Sequence, residues 1–230
     1  MSREVPRPPL ELPETEPLVA PPSFEADLAK IGVTLDETKI AIVGDYLARL
    51  LAANELLNLT AIRSADEAWT RHALDALSLV PHLAHLGDGA AVMDVGSGGG
   101  VPGIVLAIAR PDLEFLLVEA TQKKAHFLEE VASALGLSNV EVAPERAEEL
   151  AATDLAGSFD AVTARAVAPI ERLLPWTAPF VAPGGRLLYI KGQKAPDELK
   201  AAKQAMKRLG VKHVETRLGP TGRVVVLEVG

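Results

Sequence analysis

Met93-Asp94-Val95-Gly96-Ser97-Gly98-Gly99-Gly100-Val101-Pro102-Gly103 follows a short apolar run, AVMDV at 91–95, and leads into a helical pattern near 102–110. A strand ending in a glycine-rich turn that opens a helix places bare backbone at the carboxyl edge of a sheet, where open α/β folds bind nucleotides. Pro102 suits the first turn of the helix, where its missing N–H costs nothing. Glu119 ends the next strand, 23 residues beyond Gly96, near the roughly 20-residue offset at which a carboxylate holds adenosine ribose hydroxyls. The stretch therefore reads as an adenosine-cofactor site with Gly96, Gly98 and Glu119 in it. Gly98 to Gly103 also satisfies G-x-G-x-x-G, so a nicotinamide dinucleotide and an oxidoreductase stay open as alternatives. Asp94, just before the first glycine, favours S-adenosylmethionine, because a carboxylate suits a cationic amino-acid ammonium and repels a pyrophosphate.

Outward from the loop, AVMDV (91–95), EFLLVE (114–119), NVEVA (139–143), FDAVTA (159–164), GRLLYI (185–190), VKHVETR (211–217) and RVVVLEV (223–229) read as seven strands. Helical segments near 102–110, 121–136, 145–152, 169–180 and 196–209 separate the first six, which predicts a largely parallel sheet with helices on both faces. Only LGPTG separates the last two strands, so they form an antiparallel hairpin. Upstream, Asp36 caps a helix through residue 57, and Ser64 with Glu67 forms a capping box for a helix running to Pro81. Residues 1–22, with seven prolines and four glutamates, read as a disordered tail. The expected organisation is that tail, a helical region over 23–86 and a cofactor-binding core over 87–230, the last two forming one compact domain.

The 230 residues suffice for one domain with a sizeable core. Cysteine is absent, which excludes a disulfide framework, a thiolate metal site and a thiol nucleophile, and suits a cytoplasmic setting. No metal site is expected, and no signal peptide or membrane span is legible. A net charge of −8 argues against bulk polyanion binding, so any nucleic-acid contact needs a local basic patch. Methylation of pyrimidine carbon-5 needs a cysteine adduct. Exocyclic amines are usually met by a proline-rich turn after the fourth strand, where this chain has Thr163-Ala164-Arg165-Ala166-Val167-Ala168-Pro169. A ring nitrogen with a free lone pair needs only alignment and desolvation.

Asn58-Leu59-Thr60-Ala61-Ile62-Arg63, Arg71-His72-Ala73-Leu74-Asp75-Ala76-Leu77, the DVGSGGGVPG loop, Thr163-Ala164-Arg165-Ala166 and Lys191-Gly192-Gln193 occur in this order. Over about residues 35–230 the chain resembles the bacterial ribosomal RNA small-subunit methyltransferase G family, also called glucose-inhibited division protein B. The resemblance implies a Rossmann-like, seven-stranded class I S-adenosylmethionine-dependent methyltransferase fold with N-terminal helices. It also implies methyl transfer to N7 of a guanine in 16S ribosomal RNA, near the decoding region. By the same resemblance Gly96, Val101, Ala147, Glu148 and Arg165 hold the cofactor, Glu119 its ribose, and Arg165 is the catalytic candidate, able to bind a carboxylate or a phosphate bidentately. Arg63, Arg71, His72, Lys123, Lys124, Lys191 and Arg223 are the RNA-binding candidates, for a partner that is 16S rRNA or the 30S subunit, met by a monomer. Methylation of another substrate, and a non-catalytic RNA-binding module, are the competing readings. Asn58-Leu59-Thr60 is formally a glycosylation sequon but reads better as a helix-ending turn. His72 with Asp75 reads equally as a helix-surface pair and, from its place in the family motif, as functional.

Overall fold

The computed structural model describes residues 13–151 and 153–230. Seven strands form one sheet in the order β3-β2-β1-β4-β5-β7-β6, with β1 Ala91–Val95, β2 Glu114–Val118, β3 Val140–Ala143, β4 Phe159–Arg165, β5 Val181–Lys191, β6 Val211–Leu218 and β7 Arg223–Val229. The first five are parallel and β7 runs antiparallel to both β5 and β6, as the short LGPTG connection requires. The chain leaves β1 in one direction for β2 and β3 and returns on its other side for β4 and β5. The crevice at that reversal, at the carboxyl ends of β1, β2 and β4, is where such sheets take ligands.

Period-two alternation sends successive strand residues to opposite faces. Val92, Phe115, Leu117, Ala161, Leu188, Val224 and Val226 face a core formed with α1 Phe24–Lys30, α2 Glu37–Leu57, α6 Gly103–Ala109 and α7 Gln122–Ala134. Met93, Val118, Val162, Leu187, Tyr189, Val225 and Leu227 face the other core, under α8 Ala147–Leu150, α9 Ile170–Thr177, α10 Ala195–Ala201 and α11 Lys203–Arg208. No helix among the described residues is long and apolar enough to cross a membrane.

Two expectations change here. The helix after Ser64 is not continuous: α3 Ala65–Ala68 passes into a π-helical stretch, Trp69–Leu74, then α4 Asp75–Leu77 and, after a turn, α5 Val80–Leu83. Of the expected tail over 1–22, residues 1–12 lie outside the described residues, while the remainder is not a free tail. Leu18 donates its N–H to the Gly44 carbonyl at 3.1 Å, and Leu18 and Ala20 pack against the first core. Gly44 makes this possible, since a Cβ there would stand 2.2 Å from the Leu18 carbonyl oxygen. Enough apolar side chains stand among the prolines to hold the segment on α2.

Candidate active site

The glycine loop is tied down from three directions. From β2, the Val118 carbonyl accepts the N–H groups of Gly96 (2.9 Å) and Ser97 (3.1 Å), and Glu119 accepts that of Gly98 at 3.0 Å. From α2, the buried Tyr46 hydroxyl donates to the Gly99 carbonyl at 2.8 Å. From beneath, Asp94 accepts the Gly103 N–H at 3.2 Å and the Thr163 hydroxyl at 2.8 Å, Thr163 standing opposite it in the β1/β4 register. Gly96, with φ 71°, could not carry a Cβ, which would lie 2.6 Å from a Val167 methyl. The resulting cleft, about 270 Å³, is lined by loop backbone and Val101, with Leu50 and Leu59 from the helical region and Glu119, Lys124 and Arg165 as its charged groups.

Asp94 corrects a sequence expectation. Its side chain is sealed under the loop with no exposure and does not line the cleft. Burial raises its pKa to about 6, against the pull of the Thr163, Ser97 and Gly103 hydrogen bonds. Asp94 therefore shapes the loop and does not face a ligand ammonium. Glu119 stands where its offset places it. It spends one lone pair of each oxygen on the Gly98 and Thr121 N–H groups (3.0 and 2.7 Å) and keeps the others for hydroxyl donors. Ala147 is buried at the start of α8 and Glu148 is exposed beside it; neither lines the cleft.

Arg165 ends β4 at the cleft floor. It donates to the Arg71 carbonyl and, at 2.9 Å, to Nδ1 of His72. His72 Nε2 lies 3.1 Å from the Thr60 hydroxyl, whose N–H is held by the Asn54 side chain at 2.8 Å. Burial, reinforced by the Arg165 charge, drops the His72 pKa to about 3, so the imidazole is neutral. Desolvation also weakens Arg165 as a cation, offset by the carboxylates of Asp75 and Asp94 nearby. Ala166, next in the chain, has φ 57°, a left-handed conformation that costs an alanine about 1 kcal/mol.

A second compartment of about 370 Å³ adjoins the first, and the two share Thr60, His72, Arg165 and Ala166 as a common wall. Its far side is made by Arg71, Asp75, Lys191 and Thr221. Asp75 binds the Thr221 N–H at 3.0 Å and its hydroxyl, so the expected His72–Asp75 pair is absent and each residue has a different partner. Asn58 does end α2, with φ 51° and its N–H on the Asn54 carbonyl, and the helix-turn reading of that tripeptide stands.

The RNA-binding candidates separate. His72 is 2% exposed and acts on Arg165, not on a surface ligand. Lys191 is turned inward, bonded to Glu198 and to the Ala168 carbonyl, both at 2.7 Å. Arg223 is half-buried, its Nε without a hydrogen-bond partner among the described residues. Arg71 is exposed on the second compartment, Lys124 lines the first, Lys123 is exposed on α7, and Arg63 is exposed and paired with Glu55 at 2.9 Å. Reading by sequence missed Thr60 and Tyr46 as site residues. A tyrosine facing a helix interior gives no sign that it reaches a loop some fifty residues away.

A relative from Sorangium cellulosum named ribosomal RNA small subunit methyltransferase G is 56% identical over 96% of this chain and 92% of its own length. One of the same name from Mycobacterium marinum is 40% identical over 82% of this chain and 83% of its own. Among solved structures, a SAM-dependent methyltransferase from Aquifex aeolicus superposes with a TM-score of 0.57 at 16% identity, covering 73% of this chain and 94% of that one. The antibiotic-resistance methyltransferase Kmr gives 0.53 at 21%, covering 67% and 93%. At these identities the structures speak for the fold. The family model for GidB, rRNA small subunit methyltransferase G, matches residues 39–223. With most of the chain matched by both family model and relatives, the protein belongs to the rRNA small subunit methyltransferase G family.

Proposed function

We propose that this chain transfers a methyl group from S-adenosylmethionine to N7 of a guanine in 16S ribosomal RNA. One observation carries the reading: a cleft lined by bare backbone adjoins, across the wall made by Thr60, His72, Arg165 and Ala166, a second compartment, which we assign to the base. The first cleft's residues suit the cofactor. Glu119 holds the ribose hydroxyls, Val101, Leu50 and Leu59 supply apolar surface, Gly96 and Gly98 let the ligand lie against the main chain, and Arg165 takes the amino-acid carboxylate. When bound, the cofactor supplies a methyl carbon made electrophilic by its sulfonium.

The chain's own contribution is positioning. A guanine N7 lone pair needs no deprotonation, and neutral His72, occupied by Arg165 and Thr60, is not asked to act as a base. Arg165 is held by the Arg71 carbonyl and His72, leaving further N–H donors for the cleft. Arg71 on the second compartment and Lys124 on the first, with the exposed Lys123 and Arg63, are the cations offered to phosphates. The work takes place in the cytoplasm on 16S rRNA or the 30S subunit, by a monomer.

The test is incubation with tritiated S-adenosylmethionine and either 30S subunits or naked 16S rRNA from cells lacking this activity, followed by mapping of the labelled nucleotide. Label at one guanine N7 is expected, with Arg165→Ala cutting kcat/KM by at least about 100-fold while the melting temperature stays within a few degrees. Label on protein, on a small molecule or on another ring atom overturns the reading.

A further inference from the structure

Thr60 stands in the wall between the two compartments, and the groups around its hydroxyl fix which way the hydrogen points. An arginine only donates, so the 2.9 Å approach of Arg165 Nη2 to His72 Nδ1 requires that nitrogen to be unprotonated. The neutral ring then carries its hydrogen on Nε2 and donates it to the Thr60 oxygen at 3.1 Å. The Ile62 N–H donates to the same oxygen, also at 3.1 Å. Both lone pairs of the Thr60 hydroxyl are thereby occupied. The reverse arrangement, Thr60 donating to Nε2, would set an Nδ1–H against an arginine N–H. The hydroxyl is left as a pure donor, and its residue lines both compartments.

We infer that Thr60 is a specificity-determining residue whose hydroxyl donates to the carbonyl oxygen of the base being methylated. The inference rests on the function proposed above and deepens it. Guanine presents N7 and O6 as neighbouring acceptors on one edge, whereas adenine presents N7 beside an amino donor. A donor at the wall accepts the first and opposes the second, so the chain of Arg165, His72 and Thr60 turns the fixed charge of an arginine into a choice of base. His72 is a positioning residue in this chain, acting through Thr60.

The experiment uses 30S subunits reconstituted with 16S rRNA carrying either guanine or 2-aminopurine at the mapped nucleotide; 2-aminopurine keeps N7 and lacks the carbonyl. Wild-type protein should lose about 10- to 100-fold in kcat/KM on 2-aminopurine. Thr60→Val should lose about that much on guanine and little more on 2-aminopurine, so that the ratio of the two collapses, and Thr60→Ser should restore it. Comparing ratios cancels any change in N7 nucleophilicity. Equal loss on both RNAs, with S-adenosylhomocysteine bound about tenfold more weakly, would place the donor on the cofactor and overturn the inference, as would an unchanged ratio. Should Thr60→Val not fold, a long-range proton–nitrogen spectrum of the wild-type protein decides: Nε2–H and a bare Nδ1 at His72 support the chain, and the opposite tautomer or an imidazolium overturns it. Failure of wild-type protein to methylate guanine N7 at all sinks the underlying function; methylation with no dependence on Thr60 sinks the base selection alone.

Discussion

At Asp94 a carboxyl group is held by donors and shut away from water. Replacing it by asparagine keeps one acceptor: with the amide nitrogen toward Gly103 two donors meet, and with it toward Thr163 the hydroxyl must turn from donor to acceptor. A loss of about 1–3 kcal/mol in folding stability is expected. The pH dependence has a definite sign. Because burial raises the folded-state pKa to about 6, above the ordinary 3.8, the folded protein binds more protons than the unfolded chain between those values. Asp94's contribution therefore grows as pH falls through that window and shrinks as pH rises through 6. Urea unfolding at pH 7 and pH 5 should show the gap between wild type and Asp94→Asn widening at the lower pH; equal gaps would mean that Asp94 is not the titrating group. Sequence placed an acidic residue at this position but not its direction. The loop curls so that Gly103 returns over the strand end, and only coordinates show the carboxylate pointing back beneath it.

Between elements, α2 reaches the glycine loop with the buried Tyr46 hydroxyl. Tyr46→Phe leaves the Gly99 carbonyl without that partner, and should cost about 1–2 kcal/mol in denaturant unfolding. Titration calorimetry should show S-adenosylhomocysteine binding weakened about three- to tenfold; unchanged affinity would mean that the loop holds its shape without α2. β1 and β7 were readable to the residue because both are short apolar, β-branched runs bounded by turns. β5 starts at Val181, earlier than expected, because Gly184 and Gly185 look like a turn in sequence whereas the register shift between β4 and β5 absorbs them within the strand. The expected helix at 196–209 divides at Ala202, which caps both α10 and α11. The π-helical stretch from Trp69 was illegible for a different reason. Its apolar positions satisfy an ordinary helix, and the Arg165 partner that His72 meets there lies far away in the chain.

Taken whole, the molecule carries a net charge of −8, so on the proposed function it must meet a polyanion through a few local cations. With about four phosphates neutralised by Arg63, Arg71, Lys123 and Lys124, the logarithm of RNA affinity should fall with the logarithm of salt concentration at a slope of about −3. Filter binding across a salt series measures it, and a slope near −8 would require a larger basic surface than this fold displays. The parallel sheet, the terminal hairpin and the position of the cleft were all readable, since each follows from local pattern and connection length. The wall between the compartments was not, because it gathers residues from the α2 exit, the π-helical stretch and the end of β4. The notch at Gly44 extends this point to the start of the chain. The backbone of Leu18 occupies the space where a methyl group would otherwise stand, so adding that methyl and deleting the first twenty-two residues are two routes to the same lesion. A chain shortened past Leu18 gives up a contact on the helix whose tyrosine steadies the glycine loop.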